Sequence, residues 1–339
     1  MPKRALEPLP DFCQLSDRVW RVMGLNPGFF TLQGTNTYLV GKGPRKILID
    51  CGQGELGYWP LIHQSLASIS PDAYISDLLL THGHYDHWGG LIDIDTAAIW
   101  KNNAAAVEDD DQAAAEQVSP IKVHKYPFPP GSRDEAQFMH GFPAGIHLHN
   151  LQDNQVFHID SDTTLRVVFT GGHGKDHCAF WLEEEQSLFT GDCVLGHGTV
   201  VFDDLNEYLQ GLHRLEGLRP RRLYPGHGAV VENGVARIKQ YLEYRYQREH
   251  EILNLIKSDQ SRPWTSLEIG ERLIREDLTD DAQPAFLRGI ALHLQKLERD
   301  GVVRLRNTGS DDDDEENFDS LDVVKMVNKE WLYIGKSQL

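Results

Sequence analysis

Residues 78–87 read Leu-Leu-Leu-Thr-His-Gly-His-Tyr-Asp-His, and this stretch decides the fold of the 339-residue chain. The three leucines are typical of a short buried strand. Residues able to bind a ligand follow this strand directly, and binding residues commonly gather in loops at the carboxyl ends of strands. The sequence therefore predicts a strand that delivers a histidine-rich loop to a functional site.

The spacing within this loop indicates metal binding. His82 and His84 stand two residues apart, so on an extended segment both imidazoles point the same way and can reach one ion. Asp86 and His87 follow at the start of the next helix, where a tight turn aims a carboxylate and an imidazole at a second ion. One motif thus predicts half of a two-metal site.

Three later predicted strands supply the remaining donors. They cover residues 164–170, 187–191 and 222–224, and they lead to His173, Asp192 and His227. We expect His173 to complete the first site, Asp192 to bridge both ions and His227 to complete the second. Each donor is next to a glycine, which permits the sharp turns that a compact site requires. Unconnected histidines would not follow four strand ends in this order.

Several other polar residues are assigned outside the ligand set. We expect His177 to be a hydrogen-bond partner of a ligand, and Asp203 and Asp204 to cap the following helix. Two alternatives stand for His197: it lines the pocket, or it has a structural role in its loop. Cys193 is predicted to be a packing residue, because a metal-bound water makes a separate nucleophile unnecessary.

Composition sets limits on the class of protein. Hydrophobic residues make up 40% of the chain, enough for one substantial core and a small second domain, and no apolar run approaches the roughly 20 residues that span a bilayer. The formal net charge of −18 disfavours binding that depends on a phosphate backbone. We expect a soluble protein with no membrane partner.

The cysteines and the N-terminus indicate the compartment. The four cysteines form neither a CxxC pair nor a dense disulfide framework, so a reducing compartment is expected. Pro8, Pro10 and Asp11 interrupt any secretory signal. We therefore predict the cytoplasm, with the mitochondrial matrix as the alternative.

Element patterns divide the chain in two. Residues 1–256 are predicted as the hydrolase domain, with helices from about 58 to 68 and 234 to 256 and an insertion of low order at about 93–154. Residues 257–339 are predicted as a winged-helix-like module, with helices over 267–274 and 285–297 and a hairpin of residues 302–305 with 330–334. An acidic wing insertion, 308–320, contains the run 311–316.

These motifs together resemble the metallo-β-lactamase superfamily. The resemblance implies an α/β fold, a four-layer αβ/βα sandwich with two zinc ions at one edge of its two sheets. All seven ligand positions of that family are matched in this sequence. The first zinc ion corresponds to His82, His84 and His173, the second to Asp86, His87 and His227, and the bridging position to Asp192.

Three stretches, 26–38, 191–199 and 224–228, resemble one branch of the superfamily more closely. This branch contains the mitochondrial lactamase-like endoribonucleases of animals and the fungal lactamase-like thioesterases that release polyketides from acyl carrier proteins. The similarity extends over roughly residues 15–305, except for the insertion. Two places depart from the branch: Gly83 replaces a usual aromatic residue, and Gly172 and Gly174 replace a usual proline and hydroxyl residue.

The predicted chemistry is hydrolysis. Two zinc ions about 3.5–4 Å apart can share a water, lower its pKa and present hydroxide to a carbonyl or phosphorus. Asp86 is the candidate catalytic residue, able to orient the hydroxide or protonate the leaving group. The first hypothesis is a thioesterase or esterase acting on an acyl group linked to an acyl carrier protein or coenzyme A. A single-strand endoribonuclease acting on RNA is the alternative, and a non-catalytic binding module stabilised by metal is the remote one.

Overall fold

The computed structural model describes residues 6–92, 121–274, 279, 282–306 and 326–335. Its larger sheet has seven strands, which lie side by side in chain order. The first four are antiparallel neighbours, and the remaining three run parallel to the fourth. The strands are β1 (Phe12–Gln14), β2 (Val19–Met23), β3 (Asn36–Val40), β4 (Arg45–Ile49), β5 (Tyr74–Leu80), β6 (Lys122–Lys125) and β7 (Leu148–Asn150).

The second sheet has five strands in the order β12-β11-β10-β9-β8. Only β11 and β12 are parallel, so their carboxyl ends lie together. The strands are β8 (Val156–Asp160), β9 (Thr163–Phe169), β10 (Cys178–Leu182), β11 (Ser187–Gly191) and β12 (Arg222–Pro225).

The two sheets pack face to face, and helices cover their outer faces. Alternation along β3 shows the arrangement, because Tyr38 and Val40 pack between the sheets while Leu39 packs toward the outer helices. The first sheet is covered by α1 (Tyr58–Ile69) and α3 (Arg133–Gly141), and a short α2 (Tyr85–Trp88) follows β5. The second sheet is covered by α4 (Leu205–Gly217) and α5 (Gly234–Ser258). The result is the predicted four-layer α/β sandwich.

The C-terminal part packs onto the end of α5. It contains α6 (Ser266–Leu273), α7 (Gln283–Arg299) and a three-stranded antiparallel sheet of β13 (Trp264–Thr265), β14 (Val303–Leu305) and β15 (Glu330–Tyr333). The predicted pairing of the hairpin strands is confirmed by the register of β14 with β15. The predicted acidic wing, 308–320, lies outside the described residues.

The predicted low order of 93–154 is wrong for its second half. Residues 122–150 form β6, α3 and β7, and two of these elements extend the larger sheet. The sequence of β6 is short and polar, so it resembles the Ala- and Asp-rich segment before it and gives no strand signal. His124 and Lys125 of this strand are nevertheless buried. Residues 93–120 lie outside the described residues, and the domain limits at 256 and 257 stay predictions.

No helix among the described residues combines the length and the apolar character that crossing a bilayer requires.

Candidate metal centre

The ends of four strands bring the predicted donors to one edge of the sandwich. The loop after β5 carries the donors of residues 82–87, and the loops after β9, β11 and β12 carry His173, Asp192 and His227. Backbone contacts close this edge, since Asn36 donates its N–H to the carbonyl of Gly226 at 2.7 Å. All seven predicted ligands fall into two neighbouring clusters.

The first cluster joins three imidazole nitrogens. Nε2 of His82 lies 2.8 Å from Nδ1 of His84, and Nε2 of His173 lies 3.2 Å and 3.1 Å from those two atoms. Oδ2 of Asp192 lies 3.8 Å from Nε2 of His173. Four ligand atoms therefore converge on one point.

The second cluster joins two imidazoles and two carboxylates. Nε2 of His227 lies 3.1 Å from Oδ2 of Asp86 and 3.4 Å from Oδ1 of Asp192. Nε2 of His87 lies 3.5 Å from each of those oxygens. Asp192 thus turns one carboxylate oxygen toward each cluster, which is the arrangement that its predicted bridging position requires.

The chemistry of the donors fits metal ions. Two of the converging atoms, Nε2 of His87 and Oδ1 of Asp192, are buried and have no hydrogen-bond partner among the described residues. Burying polar atoms without partners costs free energy. Ligands at about 2.0–2.1 Å from a tetrahedral zinc ion lie about 3.3 Å apart, close to the spacing within the first cluster. A cation at each centre satisfies both observations.

Hydrogen bonds behind the clusters orient three imidazoles. Nδ1–H of His87 donates to Oδ2 of Asp50 at 2.7 Å, and Nδ1–H of His82 donates to Oγ1 of Thr81 at 2.9 Å. Thr81 in turn donates its hydroxyl and its backbone N–H to Asp50, at 2.9 Å and 2.8 Å. Nδ1–H of His173 donates to the carbonyl of Val201. Each ring therefore directs its Nε2 at its cluster.

The two clusters differ in electrostatics. Burial and the neighbouring imidazoles lower the pKa of His82 well below its usual value, and the pKa of His173 falls to about 4. Burial also disfavours charge on His87 and His227, but the nearby carboxylates outweigh it, raising the pKa of His87 well above its usual value and that of His227 to about 9. The first cluster thus offers neutral nitrogen ligands, whereas the carboxylates of the second favour positive charge at its centre.

Glycine is required beside the clusters by close approach. A Cβ on Gly226 would lie 2.5 Å from Oδ1 of Asp192 and 3.0 Å from Cε1 of His87. Gly191 has φ +47°, and a Cβ there would lie 2.7 Å from Nε2 of His177. The compact double cluster therefore depends on these two positions.

The family of the chain is shown by the part of the sequence that carries the seven donors. A model of the metallo-beta-lactamase superfamily matches residues 30–227, more than half of the chain. The chain belongs to the metallo-beta-lactamase superfamily. Solved structures agree on the fold. A beta-lactamase domain protein from Burkholderia ambifaria superposes with a TM-score of 0.69 at 19% identity, covering 97% of this chain and 96% of that one.

Curated relatives of this metallo-beta-lactamase chain include animal and fungal proteins. A beta-lactamase-like protein 2 homolog of Caenorhabditis elegans is 35% identical over 86% of this chain and 87% of its own length. An atrochrysone carboxyl ACP thioesterase of Aspergillus fumigatus is 35% identical over 90% and 89%. A second atrochrysone carboxyl ACP thioesterase, from Paecilomyces divaricatus, is 37% identical over 89% and 86%. These relatives match the branch named by the resemblance.

A cavity of about 570 Å³ opens onto the metal clusters of this metallo-beta-lactamase fold. His84, Asp86, His173, Asp192 and His227 line its inner end. Its far wall is formed by α5 and α7, and the lining of the whole cavity is mostly apolar. The residues of this wall include Tyr244, Arg245, Arg248, Phe286, Ile290 and His293.

The remaining predicted residues have distinct positions. Nε2 of His177 accepts the backbone N–H of Asp192 at 3.2 Å, so His177 supports a ligand as predicted. His197 is exposed and lines the cavity, which decides between its two alternatives. Cys193 is fully buried in the core, and burial raises the pKa of its thiol to about 12. It is a packing residue.

One of the two predicted helix caps is wrong. Asp204 caps α4, accepting the backbone N–H groups of Asn206 and Glu207 at 2.8 Å and 3.0 Å. Asp203 instead pairs with Arg288 of α7 at 2.7 Å. Asp203 therefore connects the loop between β11 and α4, part of which lines the cavity, to the C-terminal part of the chain.

Sequence reasoning missed Asp50 and the far wall of the cavity. Asp50 carried a usable signal, because it ends the predicted strand 46–50 just as the ligands end theirs. Arg245 and His293 carried none, since they lie on helices with an ordinary amphipathic pattern.

Proposed function

We propose that this chain is a two-zinc thioesterase that releases an acyl group from an acyl carrier protein or coenzyme A. The observation that carries the proposal is the mostly apolar cavity, which leads from the donor clusters to α5 and α7. Such a cavity suits an acyl group, whose burial is favoured by roughly 25 cal/mol per Å² of apolar surface. Relatives named as acyl carrier protein thioesterases add support from sequence.

The chain's residues hold and orient the reacting groups. When bound, two zinc ions supply a water of lowered pKa and polarise the substrate carbonyl. His82, His84 and His173 would hold one ion, Asp86, His87 and His227 would hold the other, and Asp192 directs one carboxylate oxygen at each cluster. The carboxylate of Asp86 faces the cavity and orients the attacking water by accepting its hydrogen bond.

A thioester matches this donor set because its leaving group does not need to be protonated by a general acid. Thiols have a pKa of about 8.5, so a thiolate leaves without full protonation. Asp86 is suited to remain ionised, since burial would raise its pKa but His87 and His227 lower it to about 2. The residue therefore acts as an orienting base rather than as the acid required by a poorer leaving group.

Steady-state hydrolysis of acyl thioesters by the zinc-loaded protein tests the proposal. The substrates are acyl groups of several chain types on pantetheine, coenzyme A and an acyl carrier protein, and thiol release is followed with a disulfide dye. We expect turnover that is lost after chelation and restored by zinc. If none of these thioesters is hydrolysed, the thioesterase assignment is wrong.

The endoribonuclease alternative is tested in the same preparation with unstructured RNA. An RNA strand needs several unpaired cations along its path, whereas Arg248 and Arg288 of the cavity are paired with Glu251 and Asp203. RNA cleavage without thioester hydrolysis would establish this alternative. Bound zinc without turnover on thioester, ester or RNA would establish the non-catalytic module.

A further inference from the structure

The far wall of the cavity contains a buried guanidinium without a carboxylate partner. Arg245 is 6% exposed and lines the cavity. One of its nitrogens, Nη2, donates to Oγ1 of Thr199 at 2.6 Å and to the carbonyl of Val200 at 2.8 Å, and both acceptors are neutral. Its Nε has no hydrogen-bond partner. Across the described ranges, no ion pair within 4.0 Å involves Arg245.

This arrangement is unusual in energetic terms. A buried cation costs free energy unless a counter-charge and hydrogen bonds compensate for the lost water. The rings of Phe202, Tyr244 and Tyr208, with centroids 4.6 Å, 5.2 Å and 5.6 Å from the guanidinium carbon, supply cation–π attraction, and the neutral Tyr208 hydroxyl supplies a hydrogen bond, but none of them is a counter-charge. Charge and hydrogen-bonding capacity therefore remain available to a group entering the cavity.

The neighbouring arginines provide an internal comparison. Arg248 and Arg288 line the same cavity, but Arg248 lies 3.1 Å from Glu251 and Arg288 lies 2.7 Å from Asp203. These two guanidinium groups already have counter-charges. Of the three cavity arginines, Arg245 is the one whose charge is uncompensated.

We propose that Arg245 is a specificity residue that binds an anionic oxygen of the substrate within the cavity. This inference rests on the proposed thioesterase function and narrows its substrate class. The favoured source is an acidic group on the acyl chain itself, because the surrounding wall is aromatic and suits a flat acyl body. The phosphate of a phosphopantetheine arm is the other source of the same chemistry.

Four matched thioesters separate these sources. They combine a naphthoyl group that carries either a free carboxylate or a carboxamide on its far ring with either pantetheine or 4′-phosphopantetheine. We expect kcat/KM to be about 10- to 100-fold higher for the carboxylate than for the carboxamide, the range of a charge-assisted hydrogen bond. A preference that instead follows the phosphate would assign the anionic oxygen to the arm.

Variants identify the residue responsible. Arg245→Gln should remove the preference mainly through KM, and Arg245→Lys should keep part of it, because the charge remains while the fork of donors is lost. Arg237→Gln is the matched control. Arg237 also extends from α5 to the same loop, donating to the carbonyls of Leu195 and Gly198, but it does not line the cavity.

The outcomes separate the two proposals. Titration calorimetry with the free naphthalene dicarboxylate supplies a readout without turnover, and its Kd should weaken in Arg245→Gln and not in Arg237→Gln. Hydrolysis of all four thioesters at equal efficiency, or a preference that persists in Arg245→Gln, would overturn the role of Arg245 and leave the thioesterase standing. Hydrolysis of none would reject the thioesterase itself.

Discussion

Asp50 shows how one residue outside the ligand set controls the metal centre. It is 1% exposed, accepts a hydrogen bond from Nδ1–H of His87, and accepts two more from Thr81, which in turn orients His82. A single carboxylate therefore orients one imidazole in each cluster. Partners of this kind fix the tautomer and the ring orientation of the ligands.

Replacing Asp50 should weaken metal binding without removing a ligand. We expect Asp50→Asn to lower zinc affinity about 10- to 100-fold, the usual effect of losing such a partner. Competition with a fluorescent chelator measures the affinity. Asp72→Asn is the control, because Asp72 is an exposed carboxylate that contacts Ser70. Unchanged affinity in Asp50→Asn would contradict the role assigned to it.

The ligands themselves should show a larger effect. His84→Ala and Asp86→Ala each remove one donor, one from each cluster, and should lower bound zinc and abolish turnover together. Elemental analysis of the purified variants gives the zinc content. His197→Ala removes a cavity histidine that belongs to neither cluster, and it should keep the full zinc content. Full activity in either ligand variant would refute the metal assignment.

At the scale of elements, β5 is the support of the histidine loop. Asp77 lies within β5 and joins it to both neighbouring strands, accepting from Arg45 of β4 and from His124 of β6, each at 2.9 Å. Burial alone would raise the pKa of Asp77, but the hydrogen bonds from His124, Ser76 and Arg45 lower it well below its ordinary value of 3.8. The ionised carboxylate therefore stabilises the larger sheet.

The sign of this shift predicts a pH dependence. A carboxyl group whose pKa is lowered by folding contributes its full stability above its unfolded pKa, and the contribution is lost as the pH falls below 3.8 toward the folded pKa. Asp77→Asn should therefore lower the free energy of unfolding by about 1–3 kcal/mol at pH 7. Urea denaturation at pH 7, 5 and 3.5 measures the difference, which should shrink at the lowest pH. A constant difference would show that ionisation is irrelevant.

Elements with a strong local pattern were predictable from the sequence. The expected helices at 58–68 and 234–256 correspond to α1 and α5, and the expected strand at 187–191 is β11. His173, Asp192 and His227 could be found because a glycine and a strand end mark each of them locally. The far wall could not, because Arg245 and His293 meet only through tertiary packing, with Nε2 of His293 lying 3.3 Å from the carbonyl oxygen of Arg245.

At the scale of the whole molecule, ion pairs connect α7 to the loop between β11 and α4, part of which lines the cavity. Arg288 pairs with Asp203, and Arg299 of the same helix pairs with Asp204. Residues of α7 also line the cavity. The C-terminal part is therefore a wall of the site as well as an appended module.

Breaking one of these pairs should loosen the wall and leave the metal centre intact. We expect Asp203→Ala to speed amide hydrogen exchange over 283–299 and to raise KM for bulky acyl thioesters, with unchanged zinc content. The control is Asp300→Ala, because Asp300 is exposed just beyond α7 and its partner Lys296 keeps a second carboxylate, that of Glu249. Equal exchange rates in the two variants would argue against a connection through Asp203.

The division of the cavity between strand ends and helices has an evolutionary consequence. The donors are fixed by buried loops in which even a methyl group at Gly226 would collide with a ligand. The far wall lies on two helices that carry none of the seven donors. Selection can therefore change which substrate the cavity accepts while the loops that carry the donors are inherited unaltered.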